Sequence, residues 1–157
     1  MSTKSFIINL PIITGDQDRR RLRKSFSFGC NLQNAVMGGG WDRVLQMRAT
    51  AEWQATRAMP KGRERTKAFR DLRVRFRLSE YDFHADVAKH RKASGRGHLL
   101  GINECQKLAS RAWISVERHL YNGGSPRFIS SRRGLHSIEG KTNRTGIIWK
   151  ADQQCVT

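Results

Sequence analysis

Residues 103–126, NECQKLASRAWISVERHLYNGGSP, decide how the rest of the chain is read. Cys105, Leu108, Ala109, Ala112, Trp113, Val116 and Leu120 recur with the 3.6-residue period of a helix. Lys107, Arg111 and Arg118 fall on the opposite side, so this is an amphipathic helix with one core face. Asn103 with Gln106 three residues later supplies a start signal, and the run from Tyr121 through Gly123, Gly124 and Pro126 supplies a stop.

Beyond Pro126 the texture changes. Arg127-Phe128-Ile129, residues 135–139 and residues 145–149 are short apolar or β-branched runs. Arg132-Arg133-Gly134 and Gly140-Lys141-Thr142-Asn143-Arg144 separate them, a pattern that predicts strands joined by turns. At the other end, residues 5–13 (SFIINLPII) read as a strand with Pro11 at a sheet edge or bulge. The expected fold class is therefore α+β: a predominantly helical block, residues 14–124, inserted in a small antiparallel β unit formed by residues 1–13 and 125–157.

Within the helical block, Thr14 and Gln17 offer a capping box, and Leu22, Phe26, Cys30, Gln33 and Met37 follow at three- and four-residue steps. Gly38, Gly39 and Gly40 read as a hinge between two helices, the second running from Trp41 to about Ala58, where Met59 and Pro60 end it. A phosphate-cradling loop is not expected there, because no strand precedes the glycines and no Gly-Lys-Ser/Thr follows. Residues 61–77 form a basic amphipathic helix with Phe69, Leu72 and Phe76 as core anchors. Ser79 with Asp82 starts one more helix, packed through Phe83 and Val87 and ended near Gly95.

The chain has 157 residues, with 30 Lys and Arg against 13 Asp and Glu, a formal net charge of +17. An excess of that size opposes compaction unless polyanions neutralise it, which points to nucleic acid as the partner. No run approaches the length of a membrane span, and the first residues lack a signal-peptide cleavage pattern, so the expectation is a cytoplasmic protein without membrane contact. Cys30, Cys105 and Cys155 are too far apart for a disulfide framework or a Cys-x-x-Cys metal site. The acids are scattered, His84 and His90 lie on different helix faces, and no metal-ligand spacing occurs; hence no catalytic residue, metal or cofactor is expected.

Nucleic-acid binding asks for guanidinium and ammonium groups with aromatic surfaces beside them. On the β side Arg127, Phe128, Arg132, Arg133, Lys141, Asn143 and Arg144 provide this mixture. Arg70, Arg73 and Arg77 make the basic helix a candidate for a DNA groove.

Several of these stretches together resemble a known family. The opening strand with its Pro, the helix end at Gly29-Cys30-Asn31-Leu32-Gln33-Asn34 and the later helix with Gln106, Ala109 and Ala112 are three of them. Gly124-Ser125-Pro126-Arg127-Phe128, Arg132-Arg133 and the serine-led stretch at Ser137 complete the set. Their order resembles the N-terminal part of TnpB-like RNA-guided nucleases related to type V CRISPR effectors. The resemblance implies a wedge-type, oligonucleotide-binding-like β-barrel interrupted by a helical recognition lobe, holding a guide RNA and the guide–target duplex. It implies such contacts for Arg127, Arg132, Arg133, Lys141 and Arg144, and for Arg111 and Arg118 on the helix. The RuvC-type nuclease domain and zinc ribbon of that family are not among these 157 residues. The expected role is thus a non-catalytic binding part, able to support cleavage only with a RuvC-containing partner chain. A general chromosomal or ribosome-associated DNA- or RNA-binding protein is the alternative.

Overall fold

The computed structural model describes residues 13–140, 149–150, 152–153 and 155–156. Five helices account for most of them: α1 (Asp16–Arg48), α2 (Ala51–Ala58), α3 (Arg63–Arg75), α4 (Glu80–Ala93) and α5 (Ile102–Glu117). The core forms where α1, α4 and α5 pack on one another, and α2 and α3 pair beside them. Every apolar position of the 3.6-period pattern in residues 105–120 is buried, as the sequence predicts, and these side chains meet Phe28, Leu32, Val36 and Val44 of α1 and Phe83 and Val87 of α4.

Helix α1 departs from expectation. It is 33 residues long and runs straight through Gly38, Gly39 and Gly40. Three glycines inside a helix forfeit about 3 kcal/mol of intrinsic propensity relative to alanine, and tertiary packing offsets the loss. A Cβ on Gly40 would overlap the Phe83 ring, which is fully buried against that gap, and Gly29 allows Leu100, Leu108 and Leu135 to approach the α1 backbone closely. Gly40 is a docking notch for Phe83, and the triplet is not a hinge. The break comes instead at Thr50, whose hydroxyl accepts the Trp53 amide at 3.2 Å and caps α2.

The starts of the other helices follow local chemistry. Ser79 and Asp82 form the predicted reciprocal capping box of α4. The Thr14–Gln17 box does not form: Gly15 occupies the N-cap of α1 without a side-chain cap, and Thr14 accepts from Arg19 Nε at 3.4 Å. α5 begins just before Asn103, with Gly101 as N-cap and the buried Glu104 carboxylate folded over it.

The expected β unit is overturned. The described residues hold one antiparallel ladder, β1 (Trp149–Lys150) with β2 (Cys155–Val156), two residues a side, and no barrel. The predicted strands at 127–129 and 135–139 are irregular chain, because side chains of the helices take the backbone groups that a neighbouring strand would have paired. Asn34 holds Ile129 at both ends, accepting its N–H at 2.9 Å and donating to its carbonyl at 2.8 Å. Arg111 donates to the Ser137 carbonyl at 2.8 Å, while Leu135 and Ile138 pack on the core. Residues 125–140 therefore form a strap over α1 and α5. The expected strands at residues 5–12 and 145–148 lie outside the described residues. No helix among the described residues is long and apolar enough to cross a membrane.

Candidate nucleic-acid interface

The arginines expected to bind nucleic acid divide sharply once the fold is known. Arg77, in the left-handed backbone region at φ 52°, lies 3.5 Å from Asp82 and 3.4 Å from Asp86. Arg43 approaches the same Asp86 carboxylate at 2.7 Å and lies over the Phe83 ring. Arg111 is tied to Ser137 and to Glu139, whose carboxyl is held below its usual range by the hydrogen bond and charge of that guanidinium. Arg73 donates to the Leu78 carbonyl at 3.3 Å, lies 3.7 Å from Glu117 and covers the Trp113 ring. Arg77, Arg111 and Arg73 are thus engaged by acids and carbonyls within the fold, a role that the sequence reading did not include.

Other predicted cations stay at the surface. Arg127, Arg132 and Arg133 are exposed on the strap, and their guanidinium groups make no ion pair among the described residues. Arg132 and Arg133 sit in a turn closed by the Gly134 N–H on the Ser130 carbonyl at 2.9 Å, with Gly134 at φ 66°. Phe128 is 51% exposed next to Gly38, and Arg118 is exposed at the end of α5. Lys141, Asn143 and Arg144 lie outside the described residues.

Two clefts gather cations that the sequence pattern did not assemble. One, of about 510 Å³, is lined by Arg23, Lys24, Ser27 and Phe28 of α1 and by Arg96, His98 and Leu99 of the loop before α5. Ser25 fastens that loop to α1 by donating to the Leu99 carbonyl at 2.9 Å, and Arg91 fastens it to α4 by donating to Leu100 at 2.9 Å. No acid is in the lining.

The second, of about 550 Å³, opens between α2, α3 and the chain leaving α5. Its floor is a three-ring cluster. Trp53 and Tyr121 are nearly parallel, 9° apart with centroids 6.1 Å apart, and Phe69 meets each edge-on at 5.2 and 5.1 Å. Arg57, Arg65, Arg70 and Arg73 surround the rings, with Thr66 alone between them and no carboxylate in the lining. Arg65 lies over Phe69, and its Nε is buried without a hydrogen-bond partner.

The position of Tyr121 is set from below. Arg48, the last residue of α1, donates to the carbonyls of His119, Leu120 and Asn122, so a cation closes the negative end of α5 and fixes the turn that carries Tyr121. Burial, with the nearby charge of Arg57, lowers the Arg48 pKa.

The sequence displayed part of this site, since Trp53 to Arg57 and Arg65 to Phe69 to Arg73 are helical i, i+4 pairs. Tyr121 comes from a third element, and only the folded chain brings it to them. Elsewhere, Ser110 lies 2.9 Å from His84 Nε2 and donates to Glu80 at 2.5 Å. The carboxylate and hydroxyl both face the same ring nitrogen, so Glu80 does not orient the imidazole from its other side as a nucleophile-activating triad requires. No group of three or more metal-ligating side chains occurs among the described residues. No family model, curated protein or solved structure matches the chain.

Proposed function

We propose that this chain binds nucleic acid, with a structured RNA as its principal partner and the helical surface as the contact. The observation that supports this reading is the segregation of its cations. Acids neutralise Arg43, Arg77 and Arg111 within the fold, whereas Arg127, Arg132 and Arg133 make no ion pair among the described residues and the two clefts described above lack a carboxylate in their linings. A net +17 concentrated in that way attracts phosphate and raises the rate of encounter with it. RNA favours such a surface because its loops and ends present unstacked bases as well as phosphates. The guide-binding role follows from the family resemblance, and the barrel that would accompany it is not found among the described residues. A helix-in-groove mode through α3 is disfavoured, since Arg73 and Arg77 are engaged within the fold.

The test is fluorescence anisotropy with structured RNA, duplex DNA and single strands across a salt series, joined to sequencing of the nucleic acid that co-purifies. Tight binding with a log–log salt slope of about 3 or steeper is expected, each neutralised phosphate adding roughly 0.7 to 0.9. Binding that ignores salt, or none, removes the proposal. Recovery of random fragments alone removes the preference for a defined RNA.

A further inference from the structure

We propose that the cleft between α2, α3 and the exit of α5 holds an unstacked base of a single strand, its ring laid on Tyr121 and its flanking phosphates met by Arg57, Arg65 and Arg70. This inference rests on the nucleic-acid reading above and names the form of nucleic acid that this cleft takes.

Aromatic packing comes first. A tyrosine that merely completes a core buries its ring, but Tyr121 remains 45% exposed while stacked nearly parallel on the buried Trp53. The stack has an inner member and an outer member, and a nucleobase is a flat, polarisable ring suited to be the next. Phe69 stands edge-on to both rings and braces them.

Charge complements this platform. Arg70 is exposed, with only its sequence neighbour Asp71 at 3.7 Å, and Arg65 has a buried Nε still to be satisfied. Arg57 is exposed on the cleft lining and makes no ion pair among the described residues. The ligand chemistry defined is a flat ring with anions beside it. Base pairs in a duplex keep their ring faces covered by their neighbours, so a single strand can present that combination and an unbroken duplex cannot.

The full chain is titrated into a ten-nucleotide single strand carrying a central 2-aminopurine, as RNA and as DNA of one sequence, and into the matching duplex. Stacking on Tyr121 quenches the 2-aminopurine. Tyr121→Ala is expected to abolish the quench and lower the ratio of single-strand to duplex affinity about tenfold, whereas Tyr121→Phe retains the quench. Circular dichroism verifies that both variants fold. Binding without a quench, or an equal loss for single strand and duplex in Tyr121→Ala, overturns the base site while leaving electrostatic binding intact. Failure of every oligonucleotide to bind overturns the underlying reading as well. Equal competition by a free mononucleotide overturns the strand assignment in favour of a small-molecule site.

Discussion

At the start of α4, Arg43 and Arg77 share the Asp86 carboxylate and Asp82 approaches Arg77 a second time. In the α2–α3 cleft, Arg57, Arg65 and Arg70 line a space whose lining has no carboxylate. Both regions are rich in arginine, and formal charge alone does not tell them apart. The difference lies in whether the fold supplies the counter-ion or leaves it to a ligand. In the first region the guanidinium is a structural tie, and in the second it is a contact held open.

Removing the internal counter-ion is expected to have the largest effect. Asp86→Ala strands Arg43, whose Nε and Nη2 are already buried without partners, and should cost about 3 kcal/mol, the lower end for breaking a buried pair. Urea unfolding measures it, and an unchanged midpoint would return Asp86 to the solvated surface. Gly40→Ala comes next, at about 2 kcal/mol for overpacking against Phe83. Gly39→Ala, with nothing near its added methyl, should stabilise by about 1 kcal/mol.

A matched pair sharpens the contrast further. Arg70→Gln should weaken RNA binding by about 1 kcal/mol, roughly fivefold, and reduce the salt slope by about 0.7 to 0.9. Arg77→Gln should leave the slope alone and lower the urea midpoint. Identical binding losses in the two variants would erase the distinction between the regions.

The smallest effect concerns pH. The Glu139 carboxyl is depressed in the folded state by Arg111, so the stability it contributes is full above its unfolded value, near 4.5, and is lost as pH falls through the lower folded value. At 53% exposure the pair is worth about 0.5 kcal/mol at most. The difference in stability between wild type and Glu139→Gln should therefore vanish as the solution is taken from pH 5 towards pH 3. A difference that persists at the acid end would mean that the tie to Arg111 is not ionic.

Much of the helical fold was legible because one face of each helix is apolar at a fixed period. The α5 register and the Ser79–Asp82 cap could be read from adjacent residues. The role of Gly40 was not, because its reason is the Phe83 ring, 43 positions further along the chain. Short apolar runs after Pro126 look like strands when their partners are unknown, and here the partners are the side chains of Asn34 and Arg111. The cleft was half visible in the spacing of Arg65, Phe69 and Arg73. Its outer ring, Tyr121, follows a helix end and had no periodicity to announce it.

The length of α1 has one more consequence. Residues 16–24 are all exposed, so the first turns of the helix stand clear of the core and carry Arg19, Arg20, Arg21, Arg23 and Lys24 along a stiff arm of about 13 Å. At physiological ionic strength a surface field decays over a screening length of about 8 Å. Asp16 and Asp18 occupy the outer turn, and the cations behind them lie within about one such length of the body, so the arm's charge adds to that of the cleft that Arg23 and Lys24 share with Arg96 and His98.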